Sequence, residues 1–515
     1  TSTDHSDTRR ITNTPEQERS ISFHPEGRSL LYASERGGSW NIYRTDLTDD
    51  DEPSFFNATA LEEKPVVVTD AETFQPEFSP DGKEVAFLED RVILRVINLA
   101  SGDVRTILPA EYNYSYIDGD QSYAWSPDGK WFLVEFMSPT RWSSEAGLIP
   151  ASGDGDLVNL TNNGYEDFGP TWAMDGKAMI WASDRRGDRS EQGWPTTYDV
   201  YLAFLTQEAW DTFHLSEVEL EQKKERDKKN DKGKDSDDED ENGEKDTDEE
   251  DEEEKDGIKL PDPIDIDVDG LEDRTLRLTP HSARLADADL TPDGEKLLYL
   301  ARFEKGYDLW VHEPRKSETK ILAKLGADRA NEIIIDKKGA KAFVLAGNSI
   351  KSVEIKGGKV KPVSLSAKME LDPAAERAYF FEHAWRQTRE KFYVEDMHGV
   401  DWDMYKEAYA RFLPFIDNNH DFSELISELQ GELNGSHLGC RYRPQRDGDA
   451  TANLGIFWDR NWDGPGIKVT EIIEGGPLEN EKSKVEIGTI IEAIDGHQIA
   501  AGENWFPLFI RKAGK

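Results

Sequence analysis

Cysteine is nearly absent: the 515 residues hold one, Cys440. That excludes a disulfide within the chain, and with it a fold stapled by oxidation. Long apolar runs are missing as well. No stretch of about 18 apolar residues occurs, so no transmembrane helix is expected. There is no secretory signal, and the chain opens Thr1-Ser2-Thr3 rather than at Met, which reads as a processed or cut start and leaves the compartment unmarked. Basic residues are few, with 62 Lys and Arg against 105 Asp and Glu and a net charge of −43. Residues 217–256 carry 22 acidic and 9 basic side chains, −13 of that total, so −30 is spread over the rest. Acidity this general argues against nucleic acid as a partner, because phosphates need a basic face, and it disfavours anionic membrane surfaces.

What is present is aromatic and periodic. With 14 Trp, 16 Tyr and 22 Phe, and 36% hydrophobic residues, the chain can build globular cores rich in β structure. Its length calls for roughly two to four domains. One pattern recurs: an apolar residue, a small polar one, Pro, an acid, then Gly. It stands as Phe23-His24-Pro25-Glu26-Gly27, Phe78-Ser79-Pro80-Asp81-Gly82, Trp125-Ser126-Pro127-Asp128-Gly129 and Leu290-Thr291-Pro292-Asp293-Gly294. Weaker copies are Trp172-Ala173-Met174-Asp175-Gly176 and Ile335-Asp336-Lys337-Lys338-Gly339. Pro presets φ, Asp tolerates the next position and Gly takes the positive φ that closes a hairpin. The glycines are 55, 47, 47, 118 and 45 residues apart. Removing roughly 70 inserted residues from the long gap leaves the 40–50-residue period of a four-stranded propeller blade. A β-sandwich would lack so regular a period. With Ser34-Glu35-Arg36-Gly37 and Ser183-Asp184-Arg185-Arg186-Gly187, the turn resembles the propeller repeats of TolB-like proteins. Outer strands are expected at 10–12, 66–69, 105–108, 158–161, 276–279, 320–322 and 360–365. That is seven against six blade cores, so the chain is expected to begin inside a propeller of about six to seven blades.

Within the long gap, residues 216–262 lack the apolar side chains needed to offset ordering, and they are expected to be disordered or a solvated arm. Asp265-Ile266-Asp267-Val268-Asp269-Gly270 mimics the start of a calcium loop, but Leu276 stands where the bidentate Glu belongs, and the Ile/Val alternation suits a strand.

After Pro373 the period becomes helical: Ala374–Phe392, 401–412 and Phe422–Leu433 place apolar residues at three- and four-residue steps. The last of these leaves through Asn434-Gly435, a usual helix exit, and puts Ser436 and His437 on a loop where side chains can face a cleft. Cys440 lies three residues after His437, a spacing that meets on a helix but not in a loop, so it reads as a buried apolar side chain rather than a nucleophile.

The run Trp385…Phe392-Tyr393…Gly399-Val400-Asp401-Trp402…Tyr405…Glu432-Leu433-Asn434-Gly435-Ser436-His437 is similar to the helical core of tricorn-type serine proteases. The resemblance implies that His437 is the general base and Ser436 a helper in its hydrogen-bond network. Gly464-Pro465-Gly466-Ile467, Gly475-Gly476-Pro477-Leu478 and Ile487-Gly488-Thr489…Ile494-Asp495-Gly496 resemble a PDZ domain, with Thr489 in place of the usual Asp. A PDZ fold takes an extended peptide as an added strand. A helix is expected at 503–511. Propeller, helical module and PDZ follow the order of the tricorn-type family.

One departure is large. The family carries its nucleophilic Ser, oxyanion donors and an orienting Glu downstream of the PDZ domain, and no Gly-x-Ser-x-Gly elbow occurs in residues 1–515. A base without a nucleophile does not cut peptides. The expected architecture is therefore a mainly β, multidomain chain: a propeller over 1–366, a helical protease core over 367–446 and a PDZ domain over 450–515. The expected role is a fragment of a serine endopeptidase acting on oligopeptides or unfolded chains, inactive alone. The alternative is a non-catalytic peptide-binding scaffold. A sugar or metal enzyme in the propeller channel finds no supporting cluster. No metal or organic cofactor is implied; the partners implied are a peptide substrate and further copies of the full-length chain, in the cytoplasm by resemblance, with the periplasm left open.

Overall fold

The computed structural model describes residues 9–115, 121–234, 258–365, 370–444, 451–480 and 482–513, with side chains omitted at 227–234. The chain forms two compact units, residues 1–391 and 392–515.

Among its described residues the first unit holds six four-stranded antiparallel sheets, each with its strands in sequence order, which makes them successive propeller blades. They run from Glu18 to Val67, Thr73 to Leu108, Tyr123 to Asn159, Asp167 to Arg277, Arg284 to Ala327 and Ala330 to Val363. In the first five the second strand is largely buried on both faces and reads as a near-continuous apolar run, whereas Lys341–Ala346 of the sixth alternates buried with exposed or half-buried positions. Ser29–Ser34 is buried throughout. Packing between blades follows: Leu31, Ile42 and Val67 of the first meet Phe78, Val85, Phe87 and Ile97 of the second. Each such side chain contributes about 1.5–3 kcal/mol when fully buried.

The repeated turns do more than reverse the chain. Their glycines all lie at φ between +64° and +83°, and the acid anchors the turn, as where Ser126 donates to Asp128 at 2.5 Å. At Gly82 a Cβ would stand 2.0 Å from His24 Nε2, and at Gly294 it would stand 2.9 Å from Met174 Sδ. Each of these glycines gives room to a side chain from the preceding blade's turn, so the turns of neighbouring blades touch.

Two expectations need correction here, and a third is narrowed. Residues 10–12 form no strand; Ile11 instead packs on the first blade's apolar cluster, and Thr12 donates to Glu18. The other six outer strands fall in the six blades, so the surplus outer strand does not exist. Ahead of the insertion stands α1 (Gln207–Phe213); within it α2 (Glu217–Lys234) is a helix, mostly exposed over 217–226, which agrees with the solvated arm rather than with disorder there. A capping box starts α2: Ser216 Oγ faces Glu219 N, and the Ser216 amide returns a bond to the Glu219 carboxylate at 2.9 Å. The most acidic part, 235–257, lies outside the described residues. Finally, 265–269 is not a strand; the Arg274 guanidinium gathers the carbonyls of Phe204, Asp267 and Asp269 and holds the segment as a coil.

The first unit also takes in α3 (Pro373–Lys391), past the boundary expected at 366. Two buried carboxylates of the blades hold it. Glu35 accepts from Tyr379, from His383 Nδ1 at 2.8 Å and from Arg386 Nη2 at 2.8 Å. Glu72 accepts from Gln387 Nε2 at 2.6 Å and from Arg91 at 2.5 Å, and Arg91 also donates to Gln387 at 2.8 Å. Burial opposes ionisation of Glu35, but the bonds from His383, Tyr379 and Arg386 outweigh it and hold its pKa down to about 2.

The second unit opens with α4 (Trp402–Ala410) and α5 (Asn419–Gly431). It continues into an antiparallel sheet of Ile456–Trp458, Ile467–Ile472 and Ile490–Ile491 and a hairpin of Ala493–Ile494 with His497–Gln498. Ile456, Ile467, Val469 and Ile499 form its core. The helix expected at 503–511 is one short turn, Phe506–Phe509. Pro507 withdraws a donor there, and Trp505 packs edge-on against Trp458.

Candidate active site

Helix α5 carries the loop of interest. Asn418 caps its first turn, accepting from the amides of His420 and Asp421 at 3.0 Å. Phe422, Leu425, Ile426 and Leu429 form its buried stripe, and Leu433 stays buried after the helix ends. From there the chain bends sharply. Asn434 enters the left-handed region at φ +48°, and so does His437 at φ +62°. For a residue with a Cβ that conformation costs roughly 1–2 kcal/mol, although Asn and His occur there more often than most. Gly435 does not take a positive φ, so its role differs from the one expected. A Cβ on it would fall 2.8 Å from Leu438 Cδ1, which packs beneath the bend.

Ser436 and His437 are both exposed. Among the described residues no hydrogen bond joins the Ser436 hydroxyl and the imidazole, and none ties the imidazole to Leu433 or Asn434. A ring that merely capped the helix would make the latter bond. His437 is thus an exposed side chain on a backbone in the left-handed region, with no hydrogen bond to its ring among the described residues. Backbone strain of this kind persists where the surroundings enforce it, and it gathers at functional sites.

The surroundings that enforce it were not found in the sequence. After the bend the chain runs back along α5: Gly439 N donates to Gln430 Oε1 at 2.7 Å, and Cys440 N donates to Ser427 Oγ at 2.8 Å. The Ser427 hydroxyl also reaches Cys440 O at 2.9 Å, and the Tyr442 ring meets His420 edge-on at 4.9 Å. On the entering side, Tyr409 Oη donates to Glu432 at 2.7 Å, and that bond pushes the phenol up to about 12. The available signal was a polar stripe at 423, 427 and 430, steps of four and three along one helix face. Cys440 is half-buried rather than buried. Among the described residues no group of three or more His, Cys, Asp or Glu side chains is placed to hold a metal ion.

Residues 373–431, which run from α3 to the end of α5, match the Tricorn protease C1 domain. The chain is tricorn-like. It is 24% identical over 455 residues to a Sulfurisphaera tokodaii chain named for a tricorn-like protease C-terminal subunit, covering 82% of this chain and 47% of that one. To tricorn protease homolog 1 of Streptomyces coelicolor it is 23% identical over 530 residues, covering 93% of this chain and 45% of the homolog. The crystal structure of the tricorn protease superposes with a TM-score of 0.65 at 14% identity, over 98% of this chain and 46% of that one, which shows a shared fold. The chain thus spans about half the length of the tricorn relatives it matches. The C1 match ends at Gly431, immediately before the loop that carries Ser436 and His437.

Proposed function

We propose that this chain is the propeller, helical core and PDZ portion of a tricorn-type serine endopeptidase that cuts oligopeptides or unfolded chains. The observation that carries the reading is His437: exposed, strained into the left-handed region and without a hydrogen-bonding partner among the described residues, on the loop leaving a C1 domain. In the proposed reaction a serine hydroxyl attacks the peptide carbonyl while His437 takes its proton. The imidazolium then gives that proton to the leaving amine, and water repeats the sequence to free the acyl group. Ser436, next to the base, would help order the hydrogen bonds around it. The resemblance puts the nucleophile downstream of the PDZ portion, so residues 1–515 alone should not hydrolyse peptide. The sheet of Ile456–Trp458, Ile467–Ile472 and Ile490–Ile491 would take peptide by strand addition. The full-length enzyme would act as a homo-oligomer in the cytoplasm, and the acidity of the chain leaves polypeptide, rather than nucleic acid or membrane, as its partner.

The test is His437→Ala in the full-length enzyme, read by turnover of a fluorogenic peptide and by melting temperature. We expect turnover to fall about 10⁴-fold or more with melting and peptide binding unchanged. Substantial remaining turnover ends the assignment. Peptide binding without hydrolysis by the unaltered full-length protein would favour the scaffold.

A further inference from the structure

We infer that Ser427 and Gln430 are positioning residues for His437, clasping the return of its loop onto α5. The inference rests on reading His437 as the general base. The base of a serine hydrolase is ordinarily aimed by a third group hydrogen-bonded to its ring. Among the described residues no side chain holds the ring, so within this portion of the protein the backbone on either side of His437 sets where the ring starts from, and the orienting Glu that the resemblance implies would act on a ring already placed by it.

That backbone is anchored at both ends to the same helix. On the entry side Leu433 is buried and Asn434 makes the left-handed turn. On the exit side Gln430 takes the Gly439 amide at 2.7 Å, and one hydroxyl, that of Ser427, serves both the amide and the carbonyl of Cys440 at 2.8 and 2.9 Å. The single proton of that hydroxyl is shared between the Cys440 carbonyl and the Ser423 carbonyl, which lies at 2.8 Å. Only residues 435–438 lie between the anchors, the Asn434 amide still bonding Gly431 O at 3.0 Å, and Leu438 fills the space under Gly435. A bend so short, pinned on both sides, forces His437 into its positive φ. Without the exit pins the strained residue relaxes toward ordinary backbone angles and the ring swings away. The freed Cys440 and Gly439 groups lie near the surface, where water replaces their bonds, so the loop loosens without unfolding the helix.

The test uses Ser427→Ala, Gln430→Met and Ser427→Thr in the full-length enzyme, with His437→Ala as reference. We expect Ser427→Ala and Gln430→Met each to lower kcat about 10–100-fold with KM within about two-fold, since a base misplaced by about 1 Å loses rate without losing substrate. Ser427→Thr, which keeps the hydroxyl, should recover most of the rate. A second readout needs no activity: in residues 1–515, the His437 Cε1–H NMR resonance should shift or broaden in the first two variants and return in Ser427→Thr. If kcat stays within two-fold in both variants while His437→Ala abolishes turnover, the clasp is refuted and the base stands. If His437→Ala retains turnover, the base reading fails, and an unmoved His437 resonance then refutes the clasp as well, whereas a moved one supports it.

Discussion

Two histidines, one in each unit, set the two kinds of site apart. His383 lies on α3 with its Nδ1 on buried Glu35, among Tyr379 and Arg386, each with its bond made. His437 lies on an exposed loop with strained backbone and no bond to its ring among the described residues. Composition and spacing treat the two alike. What separates them is satisfaction: a buried polar group whose partners are all supplied holds elements together, whereas an imidazole with open nitrogens on a rigid support is available to a reactant.

The sharpest way to break this contrast is to remove both rings. His437→Ala should cost about 10⁴-fold in turnover and nothing in stability. His383→Ala should cost about 1–2 kcal/mol in stability and leave kcat within a few-fold. Equal losses of turnover would erase the distinction.

Next in size is Glu35→Ala, which strands His383, Arg386 and Tyr379. Breaking a buried charged cluster by removing one partner costs about 3–5 kcal/mol, and it should appear as faster hydrogen exchange at amides 379–387. The same contact has a pH signature. Because the folded pKa of Glu35 is depressed from 4.5 to about 2, its contribution is complete above pH 4.5 and is lost as pH falls toward 2. Protection of α3 that is flat across that window would show that the carboxylate does not hold the helix.

A smaller effect tests the turns. Gly82→Ala puts a Cβ 2.0 Å from His24 Nε2 at φ +72°, and we expect about 2 kcal/mol of destabilisation from strain and overpacking together. His24→Ala in the same chain should recover the overpacking part. The smallest is Ser436→Ala, for which we expect about a ten-fold loss of kcat in the full-length enzyme because water can take over part of a helper's bonds. A loss as large as that of His437→Ala would make Ser436 more than a helper.

Much of the fold was legible because local chemistry and global packing agree. Pro-Asp-Gly turns dictated hairpins at a fixed period, and the apolar steps from Ala374 placed α3 within a residue of its observed ends. Failures came where one local rule met a stronger one. The acidic composition of 217–234 hid a Ser216–Glu219 capping box. The apolar steps of 503–511 were overruled by Pro507 and by rings that pack on the sheet. At the candidate site, Ser436 and His437 were visible through motif, and the conformation of His437 was not. Its positive φ depends on Ser427 and Gln430 reaching backbone nine to thirteen residues onward; the polar stripe at 423, 427 and 430 marks the helix face but not the backbone it would hold.

The capture of α3 by Glu35 and Glu72 bears on how this protein can be cut and recombined. The C1 match begins at residue 373, which invites a seam there. A seam at that point would strip Glu35 of Tyr379, His383 and Arg386 and Glu72 of Gln387, and it would send Arg386 and Gln387 into their new host without the acids that receive them. The blades would have to carry those residues to Lys391 to stay whole, and the transplanted helices would begin at Phe392. Shuffling along the family boundary should therefore yield aggregates. Shuffling one helix later should yield two folded proteins.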